Sequence, residues 1–449
     1  MRPHTRLVSF DANPGDPWHA SSPPIYQTAT FAQESAAQFG TYDYARSGNP
    51  TRAALERRCA ELDGGAGASA FASGLAAITA VTRLLRPGDE LLAHEDCYGG
   101  SYRLFSTVCA ERGMATRYAD LVDGGPDDWA AAIGERTRIV FVESITNPLL
   151  RVPELRELAR AAHERGALLC VDATALGPWW QRPIECGADL VVHSATKLLS
   201  GHADVTAGIV VAADVELARR IAFLQNAEGA VLGPFDSWLV LRGMQTLGVR
   251  LDRQGASATR VAAWLSARSD LARVRCPWLE SHPDHARLET QATGAGTVIS
   301  FETGDVERSL RLVESLERFS IAVSFGSVAS TASLPCRMSH ASVPAGARAT
   351  RALPEDLVRL SIGLEDPEDL IEDLDSALRR SVTPSAPARA PERSSPAAQQ
   401  ASHRTAVRSA ASAPHPSRAP AAAATASCAR ASRALAPPAP SDRAPQAGA

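Results

Sequence analysis

The sequence predicts an α/β protein: a mostly parallel, doubly wound sheet in a large domain, followed by a smaller C-terminal α/β domain. Three observations predict it. Short apolar, β-branched runs alternate with helix-length segments from about residue 66 to 212, the rhythm of a parallel sheet covered on both faces. Beyond residue 233 the helical stretches lengthen and strands become sparse. From 382 the composition collapses to Ala, Pro, Ser and Arg, which cannot bury enough apolar surface to order itself. The expected organisation is an N-terminal arm (1–45), a large domain (46–233), a C-terminal domain (234–381) and a disordered tail (382–449).

The elements follow in order. Residues 1–45, punctuated by Pro14, Pro17, Pro23 and Pro24, are expected to be irregular. Ala68–Ala72 reads as a strand, and Ser73-Gly74 opens an apolar helix to Leu85 that Pro87-Gly88-Asp89 ends. Then come strand Glu90–Ala93, helix Gly100–Arg112, strand Ala115–Tyr118, helix Asp128–Ile133 and strand Arg138–Val142. Helix Pro153–Glu164 is closed by Gly166. Ala167–Val171, Leu190–Val192 and Ile209–Val211 are strands. Ser237–Leu247 and Ala256–Ser269 are helices, and Thr297–Phe301 and Ile321–Ser324 are strand-like. Glu365–Leu378 carries its acids as the solvated face of a closing helix rather than as a metal site.

Charge narrows the partners. The 449 residues carry a formal net charge of −4, and the tail alone, with eight arginines and two acids, carries +6. The remainder is therefore at −10, which disfavours nucleic acid or an anionic membrane. No run of 18 apolar residues suggests a membrane span. Met1–Trp18 has no apolar signal core, so the expected compartment is the cytoplasm. Eight cysteines, none in a C-x-x-C pair, read as buried free thiols.

One residue stands apart. Of 46 lysines and arginines a single one, Lys197, is lysine. Arginine replaces lysine on a solvated face but cannot replace it as a nucleophile, because only the amine condenses with an aldehyde. Lys197 lies just past the apolar run Leu190–Val192, with Ser194 and Thr196 before it. In open α/β sheets that edge is where ligands sit. A second strand ends in Asp172, whose carboxylate at a strand end needs a cation, such as a protonated pyridine nitrogen. Ser73-Gly74-Leu75 opens a helix whose amides favour a phosphate, and Tyr98 follows a third strand where a ring could stack. Together these point to pyridoxal 5′-phosphate (PLP).

Several stretches resemble the Cys/Met-metabolism family of PLP enzymes: Pro24-Ile-Tyr-Gln-Thr28, Tyr44-Ala-Arg-Ser-Gly-Asn-Pro-Thr51, Tyr98-Gly-Gly100, Thr146-Asn-Pro148, Ser194-Ala-Thr-Lys197 and Arg359-Leu-Ser-Ile-Gly-Leu-Glu-Asp366. The family contains cystathionine γ-synthases, cystathionine lyases and methionine γ-lyases. Within it the chain is most similar to the branch of plant-type β-lyases, through Phe223–Gly229, Pro234–Leu239, Phe319–Val328 and Pro335–Pro344. The resemblance implies the aspartate-aminotransferase-like fold (fold type I), a homotetramer built from active dimers, and cleavage of L-cystathionine to homocysteine, pyruvate and ammonia in methionine biosynthesis. It assigns Lys197 as Schiff-base lysine and proton shuttle, Asp172 to the pyridinium, and Tyr98 to the ring. Ser73, Gly74, Leu75, Ser194 and Thr196 fall to the phosphate, with Thr174 also on the cofactor. Tyr44 and Arg46 would reach the neighbouring subunit's cofactor, and Arg359, with Asn147 and Ser324, would take the substrate carboxylate. No metal is implied.

The chain also departs from the family. Ala173 stands where an amide is usual, which is expected to loosen Asp172. Gly100 stands where methionine γ-lyases carry cysteine, and Val323 where many γ-synthases carry glutamate. Both favour β-elimination, with γ-synthase or γ-lyase chemistry as the alternative and a catalytically silent PLP-binding protein as a remote one.

Overall fold

The computed structural model describes residues 2–8, 18–294, 296–338 and 353–382. The first helix, α1 (Pro3–Val8), is followed by an irregular arm and by α2 (Pro50–Asp63). Asn49 starts α2 by accepting from the Thr51 and Arg52 amides, and Gly64, at φ 77°, closes it, a conformation in which a side chain is strained. Next come β1 (Gly67–Phe71), α3 (Gly74–Thr82), β2 (Glu90–His94), α4 (Gly99–Arg103), β3 (Ala115–Ala119), α5 (Pro126–Ala132) and β4 (Thr137–Glu143). They lead to α6 (Leu155–Glu164), β5 (Leu168–Asp172), α7 (Gly177–Trp180), β6 (Leu190–His193), β7 (Gly208–Ala212) and α8 (Val215–Glu228).

Among the described residues, seven strands form one sheet in the order β1-β7-β6-β5-β4-β2-β3. The run from β3 to β6 is parallel, while β7 is antiparallel to both β6 and β1. Alternation along the strands serves two cores. Leu169 and Val171 face one layer with Leu55 of α2 and Leu158 of α6. Cys170, Leu190 and Val192 face the other, with Ile78 of α3 and Ile221 of α8. Burial on both faces is why these strands read as unbroken apolar runs.

The chain continues through α9 (Pro234–Met244), α10 (Leu247–Ser266), β8 (Arg273–Arg275), α11 (His285–Gln291), β9 (Val298–Glu302), α12 (Val306–Glu314), β10 (Ser320–Ile321), β11 (Thr331–Ser333), β12 (Leu357–Ser361) and α13 (Pro367–Val382). Its five strands order as β10-β11-β12-β9-β8. They pack on Val261 and Leu265 of α10, Leu312 of α12 and Leu374 of α13.

The predicted α/β class with a mostly parallel sheet and a second, smaller sheet is what the structure has. Several elements differ from expectation. Part of the arm is helical, since Pro3–Val8 forms α1. The helix expected over Gly100–Arg112 changes pitch after Arg103 into a π-helical stretch, Leu104–Cys109. Of the expected strand Ile321–Ser324 only Ile321 falls in β10, and Ser324, at φ 85°, lies outside extended backbone. The closing helix begins at Pro367: Glu365 is held outside it by accepting from the Ser330 amide and hydroxyl. The tail beyond Val382 and the motif residues 339–344 lie outside the described residues. Among the described cysteines all seven are free and six are buried.

Candidate active site

The sheet delivers three side chains to one edge. Register pairs Glu143 at the end of β4 with Asp172 at the end of β5, and Asp172 with Val192 of β6. Lys197 follows four residues after His193. Around these ends lies a cavity of about 570 Å³, lined by Ser73, Gly74, Leu75, Tyr98, Asn147, Asp172, Thr174, Ser194, Thr196, Lys197, Ser324 and Arg359 among others. That volume is ordinary for a cofactor site. Every sequence-assigned site residue except Tyr44 and Arg46 is in that lining.

The turn after Lys197 is clamped from beneath. Arg250 on α10 donates to the Leu198 and Leu199 carbonyls at 3.0 and 3.4 Å and to the Gly243 carbonyl at 2.9 Å. Gly201, at φ 72°, lies so close that a Cβ there would meet the Arg250 guanidinium. The Lys197 amine meets the Ser324 hydroxyl and stands 5.5 Å from the Phe325 ring centre. Burial, the Arg359 charge next, lowers the amine to about 8, against a smaller pull from Asp172. A substantial neutral fraction near neutral pH is what a nucleophilic amine or a proton acceptor requires.

Asp172 is held by its neighbour Thr174, whose amide donates to Oδ1 at 3.0 Å and whose hydroxyl donates to the same oxygen. Ser194 N–H donates in turn to the Thr174 hydroxyl at 2.8 Å. The expected loosening by Ala173 is therefore not found: Thr174 supplies both donors, and Ala173 is fully buried. Burial raises the Asp172 pKa, and the Thr174 donors with the His193 and Lys197 charges pull against it. Its Oδ2 accepts no hydrogen bond from the described residues, which leaves one carboxylate oxygen for a cationic partner.

Two backbones approach closely at the N-terminus of α3. A Cβ on Gly74 would lie 2.9 Å from Ser194 Cβ, and one on Gly208 would lie 2.1 Å from the Ser73 carbonyl. Ser73 caps α3 by accepting from the Ala76 amide at 3.1 Å, which leaves the Gly74 and Leu75 amides at the positive end of the helix. Thr196 lines the cavity, but its hydroxyl already receives the Ala207 amide at 2.9 Å.

Arg359 is 2% exposed and has no acidic partner among the described residues. It donates to Asn147 Oδ1 at 3.1 Å and to the Ser324 carbonyl at 2.8 Å, while its buried Nε donates to none of the described residues. Burial lowers it to about 10, so it remains a cation without a counter-charge. Such a group calls for an anion. The left-handed Ser324 is thus tied at two points, its carbonyl to Arg359 and its hydroxyl to Lys197. Strain of this sort persists where the surroundings over-determine it.

Tyr44 and Arg46 sit elsewhere. Both are exposed, Arg46 lies 5.5 Å from the Tyr44 ring centre, and its guanidinium reaches the Asn226 carbonyl and Oδ1 at 2.7 and 2.8 Å. Sequence reasoning missed Glu143, which accepts the Tyr98 amide at 2.6 Å, and Phe325, whose ring lies 5.9 Å from Arg359 and 5.5 Å from Lys197. Glu143 was within reach, since it ends a strand whose neighbour ends in Asp172. Phe325 carried no local signal.

The donor set fits PLP: a depressed lysine amine, a carboxylate with an open oxygen, a helix N-terminus pressed against Ser194, and an aromatic ring at the mouth. Comparison with known proteins agrees. The profile of the family described as Cys/Met metabolism PLP-dependent enzyme matches residues 4–379. The chloroplastic cystathionine β-lyase of Arabidopsis thaliana is 49% identical over 375 residues, covering 84% of this chain and 80% of that one. The cystathionine γ-lyase of Bacillus subtilis (strain 168) is 40% identical over 378 residues, covering 84% and 99%. Among solved structures, cystathionine γ-synthase from Xanthomonas oryzae pv. oryzae in complex with aminoacrylate and cysteine superposes with a TM-score of 0.83 at 40% identity, covering 85% and 99%.

Proposed function

Because the chain belongs to the Cys/Met metabolism PLP-dependent enzyme family, we propose that it is a carbon–sulfur lyase cleaving L-cystathionine by β-elimination to homocysteine, pyruvate and ammonia. The observation that carries the reading is Lys197, the chain's sole lysine, its amine lowered to about 8 in a cavity shared with Asp172 and an unpaired Arg359. When bound, the cofactor supplies an aldehyde for the amine and a ring that withdraws electrons from the substrate's α carbon. Asp172 would hold the ring nitrogen through Oδ2, Tyr98 would flank the ring, and the Gly74 and Leu75 amides with Ser73, Ser194 and Thr196 would hold the phosphate. Thr174 keeps Asp172 aimed.

Arg359, Asn147 and Ser324 would fix the substrate carboxylate. Burial is the main cause that depresses Lys197 and the Arg359 charge the next; an anion seated on Arg359 neutralises the second, so substrate binding raises the basicity of the group that takes the α proton. Loss of that proton lets the thiolate leave from the β carbon, and water completes the release of pyruvate and ammonia.

A methionine γ-lyase reading is disfavoured sterically. A Cβ at Gly100 would come within 2.5 Å of the Tyr98 ring, so a cysteine there is incompatible with this placement of Tyr98. The 49% identity to a β-lyase against 40% to a γ-lyase points the same way. The purified enzyme given L-cystathionine should release pyruvate and homocysteine; 2-oxobutyrate and cysteine instead would overturn the β assignment.

The proposed assembly is a homotetramer of active dimers, in the cytoplasm, where a reducing environment suits the free cysteines. The exposed Tyr44 and Arg46 line no part of their own cavity and suit a partner's phosphate. Mixing Arg46→Ala with Lys197→Ala subunits should therefore recover activity through one intact composite site. No recovery in verified mixed dimers would remove Arg46 from the site.

A further inference from the structure

Behind the sheet lies a buried charged pair that the proposed reaction leaves unused. Asp63, the last residue of α2, is 0% exposed, and His193, the last of β6, is 1% exposed. His193 Nε2 meets both Asp63 oxygens, at 2.9 and 3.1 Å. Asp63 is costly where it stands. It is wholly cut off from water, and it occupies the C-terminal end of a helix, where the dipole repels an anion. Nothing in the packing of α2 demands an acid at this position, because the neighbouring core contacts are apolar side chains such as Leu55, Cys59 and Leu62.

Its partner has a particular address. His193 follows Val192, which pairs with Asp172 across the β5–β6 ladder. Successive side chains leave opposite faces of a sheet, so His193 points to the α2 side while Asp172 turns toward the cavity. The pair is neutral as a whole and acts on Asp172 as a dipole. Its positive end, the imidazole, belongs to the strand beside Asp172, and its charge favours the Asp172 carboxylate.

We propose that Asp63 and His193 are positioning residues that act through Asp172, keeping its carboxylate charged behind the sheet so that it can capture a protonated ring nitrogen. The inference rests on the PLP reading above. Burial works against a charge on His193, yet the Asp63 carboxylate, helped by Asp172, holds it above the ordinary histidine value. The charged group that acts on the pair from β5 is Asp172, which Lys197 faces in turn; Cys59 on α2 faces Asp63 with a thiol that burial keeps neutral. Without a charged imidazole, Asp172 faces its own burial with the Thr174 donors and Lys197 alone. Its pKa then rises, and cofactor affinity falls off at a higher pH.

The test uses the full chain stripped of cofactor, and reads PLP affinity by absorbance titration from pH 5 to 9. Asp63→Asn keeps an acceptor for the imidazole but removes the charge that holds it protonated. Against wild type, the acid limb of PLP affinity should move up by about one pH unit, so that affinity on that limb drops about tenfold. The cofactor phosphate titrates alike in both proteins and cancels in the difference. If Asp63→Asn does not fold, the Asp63→Asn/His193→Gln protein, which places two neutral amides together, should show the same shift. An unmoved limb in a folded variant overturns the inference, even where thermal stability falls. A wild-type protein that binds no PLP would instead sink the PLP reading itself.

Discussion

Replacing Lys197 by arginine should abolish cystathionine turnover, by at least about 10³-fold, a typical loss for a missing acid–base group. The argument is chemical before it is structural. The guanidinium neither condenses with an aldehyde nor gives up a proton in the working range. The cavity already holds one buried guanidinium, Arg359, with no acid beside it, so a second would also add like-charge repulsion. The native amine differs because it can discharge: burial and Arg359 bring it to about 8. The sign follows from a depressed amine. Below about 8 the proton stays on and nucleophilicity falls; as pH rises through about 8 the neutral form takes over. Reductive methylation of the cofactor-free protein at Lys197 should therefore accelerate through pH 8 and level above it. Since the chain has no other lysine, the N-terminal amine is the one competing site. Borohydride treatment of the PLP-loaded enzyme should leave its pyridoxyl label on Lys197, and label confined to the N-terminus would refute the assignment.

Much of the site was legible because its residues sit at the ends of strands that are buried on both faces. Leu168–Asp172 and Leu190–His193 are runs of apolar residues stopped by a polar one, and in a doubly wound sheet that stop marks the ligand edge. Helix α2 was not legible for the opposite reason. Its buried positions include Arg52, Arg58 and Asp63, so no apolar stripe betrays it. Arg52 is buried by donating to the Ala45 and Arg46 carbonyls, partners that only the folded arm provides. The same holds for Asp63, whose role depends on a histidine 130 residues away. Helix α12 was not predicted either, although its signals are local. Asp305 caps it by accepting from the Arg308 amide at 2.6 Å, and Leu312 and Val313 are buried, a pattern that local reading can recover. Phe325 and the left-handed Ser324 belong to tertiary structure: the ring lies between two cations that come from β12 and the turn after β6. The Ala173 departure was misjudged because Thr174, one residue on, makes the contacts to Asp172.

Arg359→Lys should raise KM for L-cystathionine by about 10- to 100-fold, with the PLP absorbance of the resting enzyme unchanged. A hydrogen bond to a charged group contributes roughly 1.5–3 kcal/mol, and about 1.4 kcal/mol is a factor of ten in affinity. The proposed carboxylate anchor is a planar fork whose position is set by two acceptors, Asn147 Oδ1 and the Ser324 carbonyl, and whose Nε is buried with no partner among the described residues. A lysine amine has no planar fork, so it cannot keep both acceptors and still present two parallel donors to a carboxylate. The competing view is that Arg359 is one half of a buried structural ion pair. The structure provides no such half, since none of the described acids lies within salt-bridge distance of it. The two views separate in Arg359→Ala, because loss of a structural pair leaves an uncompensated charge and lowers thermal stability by several kcal/mol. Loss of a substrate anchor leaves the empty enzyme's stability nearly unaltered. Removing Arg359's charge altogether, in Arg359→Ala, adds a third readout. Arg359 is one of the groups that depress Lys197, so in the cofactor-free variant the methylation midpoint of Lys197 should move above pH 8. A wild-type KM in Arg359→Lys, or a fall in stability without a change in KM, would show that the substrate carboxylate sits elsewhere.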